Sequence, residues 1–178
     1  MNSVLVIAVL VVEVLVLLVL VVVMLYAMFQ LYCMHIAPFV PSKKSAIDVM
    51  LDLGGVTQGM RIVDLGSGMG DICFAAAQRG AHATGVELNP VLVVMSKISA
   101  FFRHESRVQF VCADLFRYTL PKETDVVMLY LFPQTVQRVW NKLITELPSG
   151  TKIVTNAFVL PTVPVAAKRD SVFVYLIP

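Results

Sequence analysis

The stretch from Val4 to Phe29 carries one charge, Glu13, and twenty of its residues are Leu, Ile, Val or Phe. A helix apolar on every face needs a large core or a bilayer around it. As a helix the stretch would be about 39 Å long at about 1.5 Å per residue, against a hydrocarbon core of about 30 Å. Twenty such side chains favour the membrane by roughly 6–12 kcal/mol, and one acid near the middle opposes this by roughly 3 kcal/mol. Residues 4–29 are therefore expected to cross a bilayer. A cleaved signal peptide is the competing reading. The run lacks a basic start, is too long for an h-region and shows no small-x-small cleavage site, so an uncleaved single-pass anchor is expected instead. No Lys or Arg precedes it, whereas Lys43 and Lys44 follow. That asymmetry predicts the N-terminus outside and the rest of the chain in the cytoplasm. Glu13 either pairs with another membrane segment or is an acid tolerated in protonated form or near water.

The apolar fraction of 58% and mean hydropathy of +0.81 are too high for a simple soluble domain, and the excess sits at the front. Beyond Glu13 the chain carries a modest positive balance, which does not mark a nucleic-acid binder but suits a domain held against an anionic surface. Cys33, Cys73 and Cys112 form no Cys-x-x-Cys pair and read as reduced, buried residues. His35, His82 and His104 fall in no metal-ligand spacing, so no metal is expected. Three parts follow: an anchor at 1–36, a segment at 37–55 whose Ser42 can cap a helix over 43–53, and a domain at 56–178.

In that domain the chain alternates strand and helix. Strands are expected at 60–65, 82–87, 107–112, 124–131 and 151–158, and helices at 71–79, 90–103 and 134–147. Apolar residues at Val136, Val139, Trp140, Leu143 and Leu147 give the last helix one buried face. The run Thr124-Asp-Val-Val-Met-Leu-Tyr-Leu131 is apolar on both faces, as a central parallel strand should be. Alternation of this kind predicts an α/β, Rossmann-like doubly wound sheet, mostly parallel, with a C-terminal antiparallel hairpin turning at Lys168–Ser171.

Ligands of such sheets bind beyond the carboxyl ends of the strands. At the end of the first strand stands Asp64-Leu-Gly-Ser-Gly-Met-Gly-Asp71. Its glycines permit tight turns and close approach of a ligand to main-chain N–H groups. A dinucleotide fingerprint would need glycine where Asp71 stands, and a phosphate-cradling P-loop would need Gly-Lys-Ser/Thr, also absent. The flanking carboxylates repel a pyrophosphate and attract a cation. Glu87, at the end of the second strand, suits ribose hydroxyls. Asp114, just past the third, suits an exocyclic adenine amine. Strand-end acids often only cap helices, but three successive strand ends bearing suitable groups describe a pocket for an adenosine without phosphates and with a positively charged tail.

The stretches Val63–Asp71, Gly85–Pro90 and Cys112–Phe116 resemble the three cofactor motifs of class I S-adenosylmethionine-dependent methyltransferases. With the membrane run, Pro38–Ser42, Asp125–Pro133 and the terminal Val174–Pro178, they resemble more closely one small family. It contains the lysine methyltransferases of the ATP synthase c-subunit and of the adenine nucleotide translocase, with prokaryotic relatives. The resemblance implies that Asp64, Gly66, Ser67, Gly68 and Gly70 hold the methionine part of S-adenosylmethionine, Glu87 the ribose and Asp114 the adenine, with Asn89 and Leu115 completing the cofactor site. Where the family has Asp and then Arg around the last glycine, this chain has Met69 and Asp71. It also lacks an Arg-rich presequence, which points to a prokaryotic plasma membrane.

The implied reaction is in-line attack of a nucleophile on the sulfonium methyl. The acceptor side is expected at Tyr130, Phe132 and Pro133, with Tyr130 the candidate catalytic residue; the plain alternative is that Tyr130 and Phe132 belong to the core. Phe39 is expected to close the pocket or to pack at the membrane interface, and Asn156 and Phe158 are lesser candidates. No general base stands out. A tethered enzyme samples the membrane surface at high effective concentration, so the expected substrate is a lysine of a membrane protein. The rivals are a lipid or quinone methyltransferase, a non-catalytic S-adenosylmethionine-binding protein, and a nicotinamide-dependent oxidoreductase, against which the acid at position 71 argues.

Overall fold

The computed structural model describes residues 3–33, 44–160 and 163–178 and divides the chain into two units, Met1–Pro38 and Phe39–Pro178. The first is one helix, α1 (Ser3–Cys33). Within it Leu5–Phe29 is long and apolar enough to cross a membrane, and none of it is buried against protein. A signal sequence shares that length and composition, so the helix alone establishes an apolar span near the N-terminus. Ser42 and Phe39, expected as a cap and a pocket residue, lie outside the described residues.

The second unit begins with α2 (Lys44–Gly54), followed by β1 (Arg61–Leu65), α3 (Asp71–Gln78), β2 (His82–Glu87), α4 (Pro90–Phe102), β3 (Val108–Cys112), β4 (Val126–Leu129), α5 (Pro133–Glu146), β5 (Lys152–Asn156), β6 (Ala167–Arg169) and β7 (Val172–Leu176). One seven-stranded sheet runs β3-β2-β1-β4-β5-β7-β6. β1 to β5 are parallel, while β7 lies antiparallel to β5 and β6 antiparallel to β7. The strand order reverses between β1 and β4, so the carboxyl end of β1 is the switch point of the sheet.

The strand period of two divides the apolar residues into two cores. Ile62, Val126, Met128 and Val154 pack with α2 and α3 on one face. Val63, Leu65, Val127, Leu129 and Ile153 pack with Trp140 and Leu143 of α5 on the other. α2 buries Ile47, Met50 and Leu51 in the first core. Each such side chain contributes about 1.5–3 kcal/mol on burial. Gly54 closes the helix where a Cβ would meet Met128 at 3.3 Å. Asp52 clamps the outer edge, with Arg79 and Arg169 each 2.8 Å from one of its carboxylate oxygens. Those two guanidinium groups hold its carboxyl below the usual range.

Three expected boundaries are corrected. The fourth strand is Val126–Leu129, not 124–131, because both ends have other work. Asp125 accepts the Arg61 N–H at 2.7 Å, and Phe132 takes the extended N-cap conformation that lets Pro133 open α5. The fifth strand stops at Asn156 because Ala157 turns at φ +69°. The C-terminal turn is tighter than expected: Lys168 and Arg169 still pair with β7, and Asp170 reverses the chain at φ +54°. One burial assignment changes as well. Cys73 is buried as expected, whereas Cys112, at the outer end of the edge strand β3, is exposed.

Candidate functional site

β1 ends in Asp64 and Leu65, and the next five residues turn back into α3. Gly66, Gly68 and Gly70 all take positive φ, at +90°, +54° and +85°. L-residues reach that region at a cost of roughly 1–2 kcal/mol, which glycine avoids. The loop is tied to β2 by the Gly66 and Ser67 N–H groups, which donate to the Val86 carbonyl at 2.8 and 3.1 Å. It also rests against side chains: a Cβ on Gly66 would lie 2.8 Å from Leu131, and one on Gly70 would lie 2.4 Å from Phe110.

Glu87 stands at the opposite lip. One carboxylate oxygen accepts the Gly68 N–H at 2.9 Å and the other accepts the Asn89 N–H at 2.8 Å. A carboxylate offers about four acceptor positions, so two remain for a ligand while the group is held in one orientation. Asn89 caps α4, its Oδ1 accepting the Val91 N–H at 3.0 Å. Ser96, buried inside α4, donates to the Gly68 carbonyl at 3.2 Å and so fastens the same glycine from beneath.

Asp64 is buried, and its Oδ2 has the Cys73 thiol 4.0 Å away. Burial first, then the charges of Glu87 and Asp71, push its carboxyl up to about 7. Burial likewise raises the Cys73 thiol, so that group stays neutral. Three carboxyl groups, Asp64, Asp71 and Glu87, thus crowd the loop closely enough for two of them to act on the third.

The remaining predicted residues divide into two groups. Ser67 lies in the loop, but its hydroxyl is turned onto β2, 2.6 Å from where a Gly85 Cβ would be, and has no hydrogen-bond partner among the described residues. Asp114 follows β3, where its Oδ1 accepts the Phe116 N–H at 2.9 Å and its Oδ2 is 3.9 Å from Arg117. Leu115 beside it packs partly buried against the α5 core. Tyr130, Phe132 and Pro133 lie beyond the end of β4 rather than on it, with Tyr130 partly buried and Phe132 exposed. The Phe132 and Phe158 rings meet at 6.2 Å, so the carboxyl ends of β4 and β5 share an aromatic edge. Asn156 is buried and accepts the Ser171 hydroxyl at 2.8 Å, a structural role.

Sheet order, the antiparallel β7 and the glycine loop between β1 and α3 define the class I methyltransferase fold. An RNA methyltransferase from Salinibacter ruber, solved with S-adenosyl-L-homocysteine, matches at a TM-score of 0.75 and 33% identity, over 78% of this chain and 94% of that one. The family model for the ANTKMT methyltransferase domain matches residues 64–167, and the chain belongs to that family. The lysine N-methyltransferase of the ATP synthase c-subunit from Xenopus laevis is 33% identical over 127 residues, 70% of this chain and 54% of that protein. The adenine nucleotide translocase lysine N-methyltransferase of Mus musculus is 36% identical over 127 residues, 70% of this chain and 55% of its own length. The chain spans about half the length of these curated relatives.

Proposed function

We propose that the chain is a membrane-anchored, S-adenosylmethionine-dependent methyltransferase that transfers a methyl group to a lysine amine of a membrane-associated protein. The observation that carries this reading is a glycine loop at the switch point of the sheet with three carboxyl groups, Asp64, Asp71 and Glu87, around it. Beyond the effect of burial, Glu87 and Asp71 raise the Asp64 carboxyl through their own charge, and a cluster of acids favours a ligand that brings positive charge and no phosphate. S-adenosylmethionine has that chemistry, and when bound it supplies the methyl group on a sulfonium. Asp64 and the loop would face its charged amino-acid part, the two unused acceptor positions of Glu87 its ribose, and the Asp114 turn its adenine. The lysine specificity of the relatives and the span Leu5–Phe29 support the substrate class and the anchor.

For the acceptor, an amine of ordinary pKa about 10.4 must lose a proton, which costs roughly 4–5 kcal/mol at neutral pH. An apolar entrance lowers that cost by desolvating the cation, and the Phe132–Phe158 edge is the candidate entrance. Holding the lone pair about 3–3.5 Å from the methyl then supplies much of the rate.

The test is transfer of labelled methyl from S-adenosylmethionine to membranes of a strain lacking the protein, followed by separation of protein, lipid and RNA. Label is expected in a protein band that yields methyl-lysine on hydrolysis; label confined to lipid or RNA would overturn the substrate assignment. The cofactor site has its own test. At a ligand concentration of about a hundred times Kd, S-adenosylhomocysteine should stabilise the chain by about 2.7 kcal/mol. Glu87→Ala should lose that gain, and should also lower the unliganded melting temperature, because the Gly68 and Asn89 N–H groups lose their acceptor at up to about 1–3 kcal/mol each. A variant that keeps the ligand-induced shift would remove Glu87 from the site.

A further inference from the structure

α4 is turned inside out relative to an ordinary surface helix. It buries Val93 and Ser96 against the sheet and leaves Val91, Val94, Met95, Ile98, Phe101 and Phe102 exposed, the two rings at 73% and 75%. At 3.6 residues per turn these six positions fall within one arc of about 120°, a continuous stripe along the helix. Apolar side chains scattered singly over a surface mean little, but a continuous stripe marks a surface that something covers.

The rim of the stripe identifies what covers it. Lys97, Arg103 and Arg107 are exposed, Arg103 over the Phe74 ring at 4.6 Å and Arg107 3.5 Å from Glu105, the sole acid from Lys97 to Arg107. This short segment therefore carries a formal +2, equal to the surplus of the whole chain. An apolar face flanked by basic residues is the composition of a helix lying in the headgroup region of an anionic bilayer. The chain also brings its own membrane-length helix, Leu5–Phe29.

We propose that α4 is an interfacial helix: its apolar stripe enters the boundary between headgroups and acyl chains while Lys97 meets lipid phosphates and Arg103 and Arg107 add positive charge at the end of the helix. The proposal rests on the membrane-anchored reading above. Its consequence is positional. α4 starts at Asn89 and Pro90, two residues beyond Glu87, so a docked α4 holds the Glu87 lip and the glycine loop at headgroup height. A lysine on a loop of a membrane protein lies at that height.

The test uses the full chain in nanodiscs of phosphatidylcholine and phosphatidylglycerol, with brominated lipid as the quencher and tryptophan probes at exposed positions. Trp140, the one native tryptophan, is buried and provides the common background. Phe101→Trp should emit at shorter wavelength than Ile144→Trp, an exposed control on α5, and brominated lipid should quench it strongly. Leu17→Trp reports α1. Quenching of Leu17→Trp without quenching of Phe101→Trp would overturn the docking of α4 and leave the anchor standing. Loss of quenching at both sites would remove the anchor as well. A blue-shifted Phe101→Trp that brominated lipid does not quench would identify a protein as the occupant and overturn the proposal. In discs of phosphatidylcholine alone the quenching at 101 should fall; equal quenching would refute the role of the basic rim.

Discussion

Asp64→Asn is expected to make the domain more stable at about pH 8 and poorer at binding its cofactor. Burial is the cause. Asp64 shares the α3 side of β1 with Ile62, is 2% exposed, and is pushed from 3.8 up to about 7 by burial and by the neighbouring charges of Glu87 and Asp71. A raised carboxyl means that the folded state holds its proton more tightly than the unfolded chain does. Between about pH 4 and 7 the folded state therefore binds more protons, and stability falls as pH rises through that window. At about 1.36 kcal/mol per pH unit the full loss is about 4 kcal/mol, reached above the folded pKa. Asparagine carries no charge to bury. The difference in unfolding free energy between variant and native chain should be small near pH 4 and grow toward about 4 kcal/mol at pH 8. A native chain whose stability, relative to Asp64→Asn, does not change between pH 4 and 7 would show that Asp64 is not an isolated buried acid. A cationic cofactor reverses the balance, since its charge favours the ionised carboxylate. Affinity of the native chain should accordingly rise with pH through about 7, and Asp64→Asn should lose both that rise and much of the affinity.

Much of the site's frame was legible because it depends on local rules. A strand followed by alternating glycines must turn sharply, and Gly66, Gly68 and Gly70 all take the left-handed conformation. An acid that ends a parallel strand lies at the carboxyl edge of the sheet, beside which ligands bind, and Glu87 stands there with both oxygens engaged by the loop and the α4 cap. What was not legible depends on which residues meet across the sheet. Phe110 sits on β3, two strands from the glycine loop, and nothing in its local sequence says that its ring lies under Gly70. Ser96 offered a faint signal as a hydroxyl inside the apolar stretch Pro90–Phe102, and its partner, the Gly68 carbonyl, is twenty-eight positions away. The same stretch hid the orientation of α4. Only Ser96, Lys97 and Ser99 interrupt its apolar residues, and they are too few to separate a buried face from an exposed one, so the covered and open sides appear only once β2 and β3 are in place. Tyr130 shows the converse: the apolar run promised a longer strand, while the extended cap at Phe132 ends it in three dimensions.

Gly70→Ala is expected to cost about 2–5 kcal/mol, a large part of the roughly 5–15 kcal/mol that holds a domain folded. Two independent effects contribute. Alanine at φ +85° costs roughly 1–2 kcal/mol for the left-handed conformation. Its Cβ would also lie 2.4 and 2.6 Å from two atoms of the Phe110 ring, and 3.3 Å from Phe74. Phe110 is held between Gly70, Gly85 and Phe74. Its ring packs on Phe74 with centroids 5.6 Å apart, and its Cδ1 lies 2.7 Å from where a Cβ on Gly85 would be. Overpacking of a core that cannot yield costs roughly 1–3 kcal/mol. A double-mutant cycle separates the two effects. Phe110→Ala alone should cost roughly 3–5 kcal/mol for the lost ring. Combined with Gly70→Ala it should cost less than the sum, by the roughly 1–3 kcal/mol of the relieved clash, because the two residues share one space. Urea unfolding of the four chains measures the cycle. Strict additivity would mean that the ring does not lie under the loop, and that β3 does not support the loop from below. The strain at φ +85° should persist in the double variant, since removing the ring opens space but leaves the backbone turn that glycine alone makes without cost.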